Sequence, residues 1–455
     1  MLTANLYRTP YGDITMRVVP AAGSHTYTLR IKSIDATATL REITASAADA
    51  DGFVWLDYPV DQSCNDYGIA YPPSYLRYEL LLDGVVEQAT DVVVPLVADN
   101  TVVKTRIGII GQSNGEQHFS YLSSGYTHIG NASATALRNA YAAVKGVRPV
   151  TVQPINLAVG GSAAHAGTAP SYAPSYFWWD LAAGQPGPCY AGFAGDAVSA
   201  PLPSIPERLA AAVDGSVSCK LDALVVSQGE QDATAGGSAV LWRFAWEMVI
   251  ARLRIDAGNP SLPVWYQALG RLYMDMAGTP RESLGAYTKA IRDAQVSHAR
   301  SSALVHVGAW PAGTAASVIY DGVHYTAATY HAIAADLGAR IAQGATVEDA
   351  APDWTTYPVP AVAAVKDETC GDITYTFSNL SPGRPYRWRH TMVTAPGYTI
   401  AEAAFTPTGD SYQFTWSAAS QAAVYGYPAG AVNVRAWRHE SDTNFGADGE
   451  FVGTV

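Results

Sequence analysis

The sequence predicts an α/β fold: a right-handed three-layer sheet over residues 101–350, flanked by small β-sandwich-like domains at 1–100 and 351–455. Three observations carry this. From Thr101 onward, short apolar runs alternate five times with helical periodicity, the pattern of a parallel sheet covered on both faces. Both flanks show the apolar–polar alternation of strands instead. The chain has 455 residues, room for about three domains at roughly 150 each.

In the first hundred residues, TYTLRIKSI, ATLREITA, FVWLDYPV, LRYELLLDG and VEQATDVVVPL are separated by Gly, Asp and Pro turns, and helical period is almost absent. The β pattern ends near Leu96. Next come VVKTRIGIIG, PINLAVGG, LDALVVSQG, PVWYQALG and ALVHVGAW, read as five parallel strands. Ser204 and Glu207 form a capping box for PERLAAAV, and Thr279, Pro280 and Glu282 start a helix through AYTKAIRDAQ. In the helix near 238–254, Leu241, Phe244, Met248 and Ala251 recur at three- and four-residue steps. Ile333, Leu337 and Ile341 do so in the last helix. The stretch 162–203 breaks the rhythm and reads as a surface excursion. Beyond residue 350, ITYTFSNL, YRWRHTMV, SYQFTWSA and AVNVRAWRH restore the β pattern.

Composition narrows the function classes. Apolar residues make up 48% and charged residues 15%, against a usual charged share of about 25%, so the chain is built to fold. Formal charge is −12 with no Lys or Arg run, which sets nucleic-acid binding aside. No stretch of about 18 apolar residues spans a membrane, and the N-terminus carries no evident signal peptide. Cys64, Cys189, Cys219 and Cys370 are too scattered for a disulfide framework or a zinc site, though their positions leave a Cys189–Cys219 bridge open. No cofactor or metal is expected.

Reactive residue types gather at the C-terminal ends of the predicted strands, where open α/β sheets place ligands. Gly111-Gln112-Ser113-Asn114-Gly115 comes after the first strand, and a serine on such a turn presents its hydroxyl beside a helix N-terminus. Gly160-Gly161-Ser162 comes after the second, where glycine lets a backbone N–H approach a substrate. The third leads into Ser227-Gln228-Gly229-Glu230-Gln231-Asp232, with an amide that could serve an oxyanion. The fifth leads into Asp321-Gly322-Val323-His324, where a carboxylate can hold Nδ1–H and leave Nε2 to accept a serine proton. Taken singly, each block is an ordinary turn. Together they fill every role of hydrolytic acyl transfer. GQSNG also fits the G-x-S-x-G elbow of α/β-hydrolases, but there the acid lies far from the histidine in sequence, whereas here acid and base share one loop.

With these blocks in this order, residues 103–345 resemble the SGNH (GDSL-like) hydrolase superfamily. The nearest branch is that of the sialate O-acetylesterases and carbohydrate esterase family six, in which the glutamine of QGE replaces an asparagine. The resemblance implies a flavodoxin-like αβα sandwich. It also implies Ser113 as nucleophile, His324 as general base and Asp321 as its orienting acid. The oxyanion hole would comprise the Ser113 and Gly161 amides and the Gln228 side chain. Family members commonly read GQSNM, so Gly115 leaves the wall beside the nucleophile open or differently filled.

The function expected is removal of O-acetyl groups from carbohydrate through an acyl-enzyme. Because the base acts uncharged, activity should rise with pH through the imidazole range. Gln112, Asn114 and Glu230 are candidate substrate contacts. So are Trp178 and Trp179, which with Tyr172, Tyr176 and Phe177 could stack on pyranose faces. His118 and His165 read as structural or rim residues. The expected partner is an acetylated carbohydrate, with a homo-oligomer (a trimer on a virion) and an extracellular or virion setting such as a phage tail. The alternatives are an inactive carbohydrate-binding or structural protein on the same scaffold, or a lipase or thioesterase. The last would need an apolar channel that the Gly-, Ser- and Tyr-rich surroundings do not suggest.

Overall fold

The computed structural model describes residues 2–9, 12–67, 75–90, 94–96, 101–119, 132–195, 201–212, 220–269, 284–309, 323–345, 360–384, 386–391, 399–425, 431–441, 444–445 and 449–454. Five strands form the central sheet: β1 (Thr105–Gly111), β2 (Val152–Asn156), β3 (Ala223–Ser227), β4 (Val264–Gln267) and β5 (Val305–Ala309). They run parallel in the order β2-β1-β3-β4-β5, so the winding reverses at β1. Ligands of open α/β sheets sit at such a reversal, beyond the carboxyl ends of the strands.

The apolar runs are continuous because each strand is buried on both sides. Ile107, Ile109, Ala223 and Val225 face a layer built by α2 (Ala132–Lys145) and α7 (Ala327–Gln343). Ile110, Leu224, Val226 and Tyr266 face α3 (Ile205–Ala212), α5 (Ala239–Asp256) and α6 (Leu284–Ser301). Two short helices, α1 (Ser113–Phe119) and α4 (Glu230–Thr234), start just beyond β1 and β3.

The helix ends obey local chemistry. Ser204 Oγ accepts from the Glu207 amide while the Glu207 carboxylate accepts from the Ser204 amide, the reciprocal box read from the sequence. Ser238 caps α5 and Thr326 caps α7, which stops at Gly344 in the left-handed conformation. Thr279, Pro280 and Glu282 lie outside the described residues. Ile333, Leu337 and Ile341 are buried as expected, but the stripe expected to face inward on α5 is the wrong one. Trp242, Ala245, Trp246, Val249, Ile250 and Leu253 face the core, and Leu241 and Phe244 are exposed. The helix is apolar on two sides, and the larger tryptophan surface takes the interior.

The excursion folds into a three-stranded sheet of Ala163–His165, Phe177–Asp180 and Gln185–Pro186. Cys189, in the short helix after it, is a buried free thiol, so the bridge left open by its position is not formed; Cys219 lies outside the described residues.

In the N-terminal flank, Ala4–Arg8, Ile14–Val18 and Val54–Tyr58 form one antiparallel sheet; a second contains Tyr27–Lys32, Thr39–Ala45 and Tyr75–Leu82. Both contribute to one core around Ile14, Met16, Leu29, Ile31, Leu56 and Leu80. The sequence pattern does not single out the first two strands or the helix Val60–Tyr67. This flank is tied to the parallel-sheet domain. Val60 joins the layer of Ile107 and Leu137, and the Asp13 carboxylate, fully buried, accepts from the Arg138 guanidinium at 2.7 and 2.8 Å. In the C-terminal flank two further antiparallel sheets enclose Tyr375, Phe377, Tyr386, Trp388 and Val434.

Candidate active site

At the end of β1 the backbone must turn sharply beside β3. Gly111 takes φ of +134°, and a Cβ there would lie 1.9 Å from the Ser227 carbonyl oxygen, so glycine is required. The Gln112 amide then donates to that same carbonyl at 3.0 Å, and Ser113 opens α1. The Ser113 hydroxyl lies 2.9 Å from His324 Nε2, a residue 211 positions away on the loop that enters α7. Asp321 lies outside the described residues.

The neighbours of these two residues hold them together. Asn114 donates from Nδ2 to Glu230 Oε1 at 2.5 Å and to the Val323 carbonyl at 3.2 Å, and its Oδ1 accepts from Tyr330 at 2.6 Å. One amide thus joins the residue after the serine to the residue before the histidine, the head of α4 and the first turn of α7. Burial pushes the Glu230 carboxyl above the usual range, opposed by the Asn114 hydrogen bond.

The glycine turn after β2 is stitched to the same strand end. The Gly111 carbonyl accepts from the Val159 amide at 2.9 Å and from Ser162 Oγ at 3.1 Å, while the Trp178 indole donates to Ser162 Oγ at 2.8 Å. Gly161 has φ of +70°, and a Cβ there would meet the Tyr172 hydroxyl at 2.6 Å. Glu116, raised by burial, accepts from the Gly160 amide and so braces the turn from α1.

Gln228 is not free as the sequence suggested. Its carbonyl accepts from both the Trp242 and Trp246 indoles, at 2.5 and 2.9 Å, and its Nε2 donates to Asp232 Oδ2 at 2.5 Å. Longer contacts reach the Ser162 carbonyl at 3.3 Å and Gln112 Oε1 at 3.4 Å. Every polar atom of the amide is engaged inside the protein, so Gln228 supports the site from behind. Asp232 also accepts from Thr168 and from the Ala164 amide, and burial raises its carboxyl against these bonds.

The expected substrate contacts need the same correction. Gln112 and Asn114 are fully buried, and Glu230 is nearly so. Gln112 Oε1 accepts from the Gln231 amide at 3.0 Å, linking the first block to the third. Trp178 and Trp179 are core residues, with the Trp178 ring 5.8 Å from that of Trp246. Of the excursion's aromatics, Tyr172 is the exposed one. His165 accepts from the Gly167 amide within its own turn, and the His118 side chain lies outside the described set. At Gly115 a Cβ would stand 3.3 Å from both the Ala158 and Ser227 side chains, a tight contact, so these two residues fill the wall beside the nucleophile. Sequence reasoning missed Tyr330, Thr168 and Glu116, which carry no motif of their own.

A hydroxyl against an imidazole, beside a glycine turn, is suited to nucleophilic attack on a carbonyl. Among the described residues no group of three or more His, Cys, Asp or Glu could hold a metal, and no helix is long and apolar enough to cross a membrane.

Residues 203–345 match a family model described as carbohydrate esterase, sialic acid-specific acetylesterase, a segment that includes Gln228, Glu230 and His324. Among solved structures, the chain is similar to a carbohydrate acetylesterase from Xanthomonas citri, at 16% identity and TM-score 0.34, covering 99% of this chain and 97% of that one. It is also similar to a family two carbohydrate esterase from Clostridium thermocellum, at 13% identity and TM-score 0.35, covering 75% and 99%. An acetyl xylan esterase from Butyrivibrio proteoclasticus matches at 12% identity and TM-score 0.32, covering 75% and 95%. These structures are likenesses at low TM-score, and the family match is what bears on identity: residues 203–345 are similar to the carbohydrate esterase, sialic acid-specific acetylesterase family.

Proposed function

We propose that the protein is a serine esterase that removes O-acetyl groups from carbohydrate. The observation that carries this is the 2.9 Å approach of His324 Nε2 to the Ser113 hydroxyl at the carboxyl end of the parallel sheet. His324 takes the serine proton as Oγ attacks the ester carbonyl. The Ser113 and Gly161 amides stabilise the oxyanion, with Asp321 orienting the imidazole. His324 then protonates the departing sugar hydroxyl, and water attacks the acyl-enzyme by the same route in reverse. Support for acetyl and for sugar comes from the family match over 203–345.

The test is hydrolysis of p-nitrophenyl acetate and butyrate by the protein and by Ser113→Ala. Acetate turnover that disappears in the variant, with butyrate slower, supports the proposal. Equal turnover by both proteins, or none by either, overturns it in favour of a binding protein on an esterase scaffold.

A further inference from the structure

Resting on the esterase reading, we infer that Tyr172 is a specificity-determining residue, its ring the platform on which the acetylated sugar sits. Its position argues this. The residue is 56% exposed, while its hydroxyl reaches the glycine turn, 2.6 Å from where a Cβ on Gly161 would stand. That turn is bonded to Gly111, two residues before the nucleophile. Tyr172 therefore borders the place where an acetyl carbonyl must lie, on an exposed side chain.

The tryptophans and Tyr176 of the excursion are committed elsewhere. Trp178 and Trp179 are buried, and Tyr176 packs against Phe193 with ring centroids 5.9 Å apart. The segment that presents Tyr172 is held on both sides. The Pro170 carbonyl accepts from the Ala173 amide at 3.0 Å and the Ala173 carbonyl from the Tyr176 amide at 2.9 Å. Upstream, Thr168 donates to Asp232, and its carbonyl accepts from Gln231 Nε2 at 3.0 Å. An aromatic carried on a backbone held before the ligand arrives loses less freedom on contact than one on a loose loop. The face it offers suits the C–H face of a pyranose, whose hydroxyls can stay in water.

The experiment compares sugar esters with an ester that has no ring. Wild type, Tyr172→Ala and Tyr172→Trp are assayed on xylose tetraacetate, glucose pentaacetate and ethyl acetate by acid release, with Ser113→Ala as the blank. For Tyr172→Ala, KM on the sugar acetates should rise roughly 2- to 10-fold, by more than any change in KM on ethyl acetate. Tyr172→Trp should keep the wild-type KM. Equal changes on all three esters, or no change on the sugars, overturn the role of Tyr172 and leave the esterase reading standing. Ser113-dependent cleavage of ethyl acetate with no wild-type turnover of either sugar acetate overturns the carbohydrate reading and this inference with it. No turnover of any ester overturns the esterase reading, and the inference falls with it.

Discussion

Replacing Asn114 with alanine removes one side-chain amide and three hydrogen bonds. Glu230 Oε1 loses a donor at 2.5 Å, the Val323 carbonyl one at 3.2 Å, and the Tyr330 hydroxyl an acceptor at 2.6 Å. Asn114, Glu230, Val323 and Tyr330 are all buried, so water does not freely replace what is lost. A buried hydrogen bond contributes about 0.5–1.5 kcal/mol, so losing three of them should cost ~2–4 kcal/mol of stability. The kinetic effect has a separate origin. Asn114 adjoins Ser113, and Val323 adjoins His324, so the lost bond is a direct tie between the segments carrying nucleophile and base. A shift on the order of 1 Å between them should lower kcat by about 10²-fold. Asn114→Asp serves as a control of shape. It keeps an acceptor for Tyr330 but turns an oxygen toward Glu230 and the Val323 carbonyl, and it should not rescue either quantity. Urea denaturation gives the stability, and steady-state p-nitrophenyl acetate hydrolysis gives kcat. A variant that loses stability but keeps wild-type kcat would refute the tie between this junction and the reacting pair.

Gly161→Ala forces a side chain into φ of +70° and against the Tyr172 hydroxyl. Displacing the Gly161 amide should lower kcat by about 10²–10³-fold, and an unchanged rate would remove that amide from the oxyanion site. Asp13→Asn removes the buried carboxylate that accepts twice from the buried Arg138 guanidinium. It should cost about 3–5 kcal/mol by chemical denaturation, and a loss under ~1 kcal/mol would show that this pair does not hold the N-terminal flank. His298 accepts or donates at Nδ1 to the Tyr266 hydroxyl, and burial lowers its pKa from 6.5 to about 4. The folded value lies below the unfolded one, so stability is complete above pH 6.5 and falls as pH drops toward 4, by about 3 kcal/mol. His298→Gln should flatten that stretch of the Tm-versus-pH curve, and an unaltered slope would place the acid sensitivity elsewhere.

Much of the site's placement is legible in the chain itself. A strand buried on both faces announces itself as an unbroken run such as Ile107-Gly108-Ile109-Ile110-Gly111, and a parallel sheet brings the turns after such runs to one edge. That is why Ser113, Gly161 and His324 can be assigned to one neighbourhood from pattern alone. Helix capping by Ser204 and Glu207 is equally legible, because the box closes within four residues.

Other features depend on partners far away in sequence. Periodicity shows that α5 is apolar, but not which of its two apolar stripes meets the sheet; packing gives the interior to Trp242 and Trp246. Gln228, Asn114 and Glu230 are polar residues beside reactive ones, and the sequence cannot tell a side chain awaiting substrate from one satisfied internally. Their partners stand 116 residues apart for Asn114 and Glu230, and 209 and 216 for Val323 and Tyr330. Trp178 and Trp179 read as sugar platforms because an excursion is expected on the surface, yet this one folds its tryptophans inward and leaves Tyr172 outside. Local pattern and backbone geometry were enough to specify the parallel sheet and the edge where chemistry can occur. Which polar groups are spent on holding that edge, and which remain open, was settled by the folded chain, because hydrogen-bond satisfaction in a buried network is set by residues brought together from its whole length.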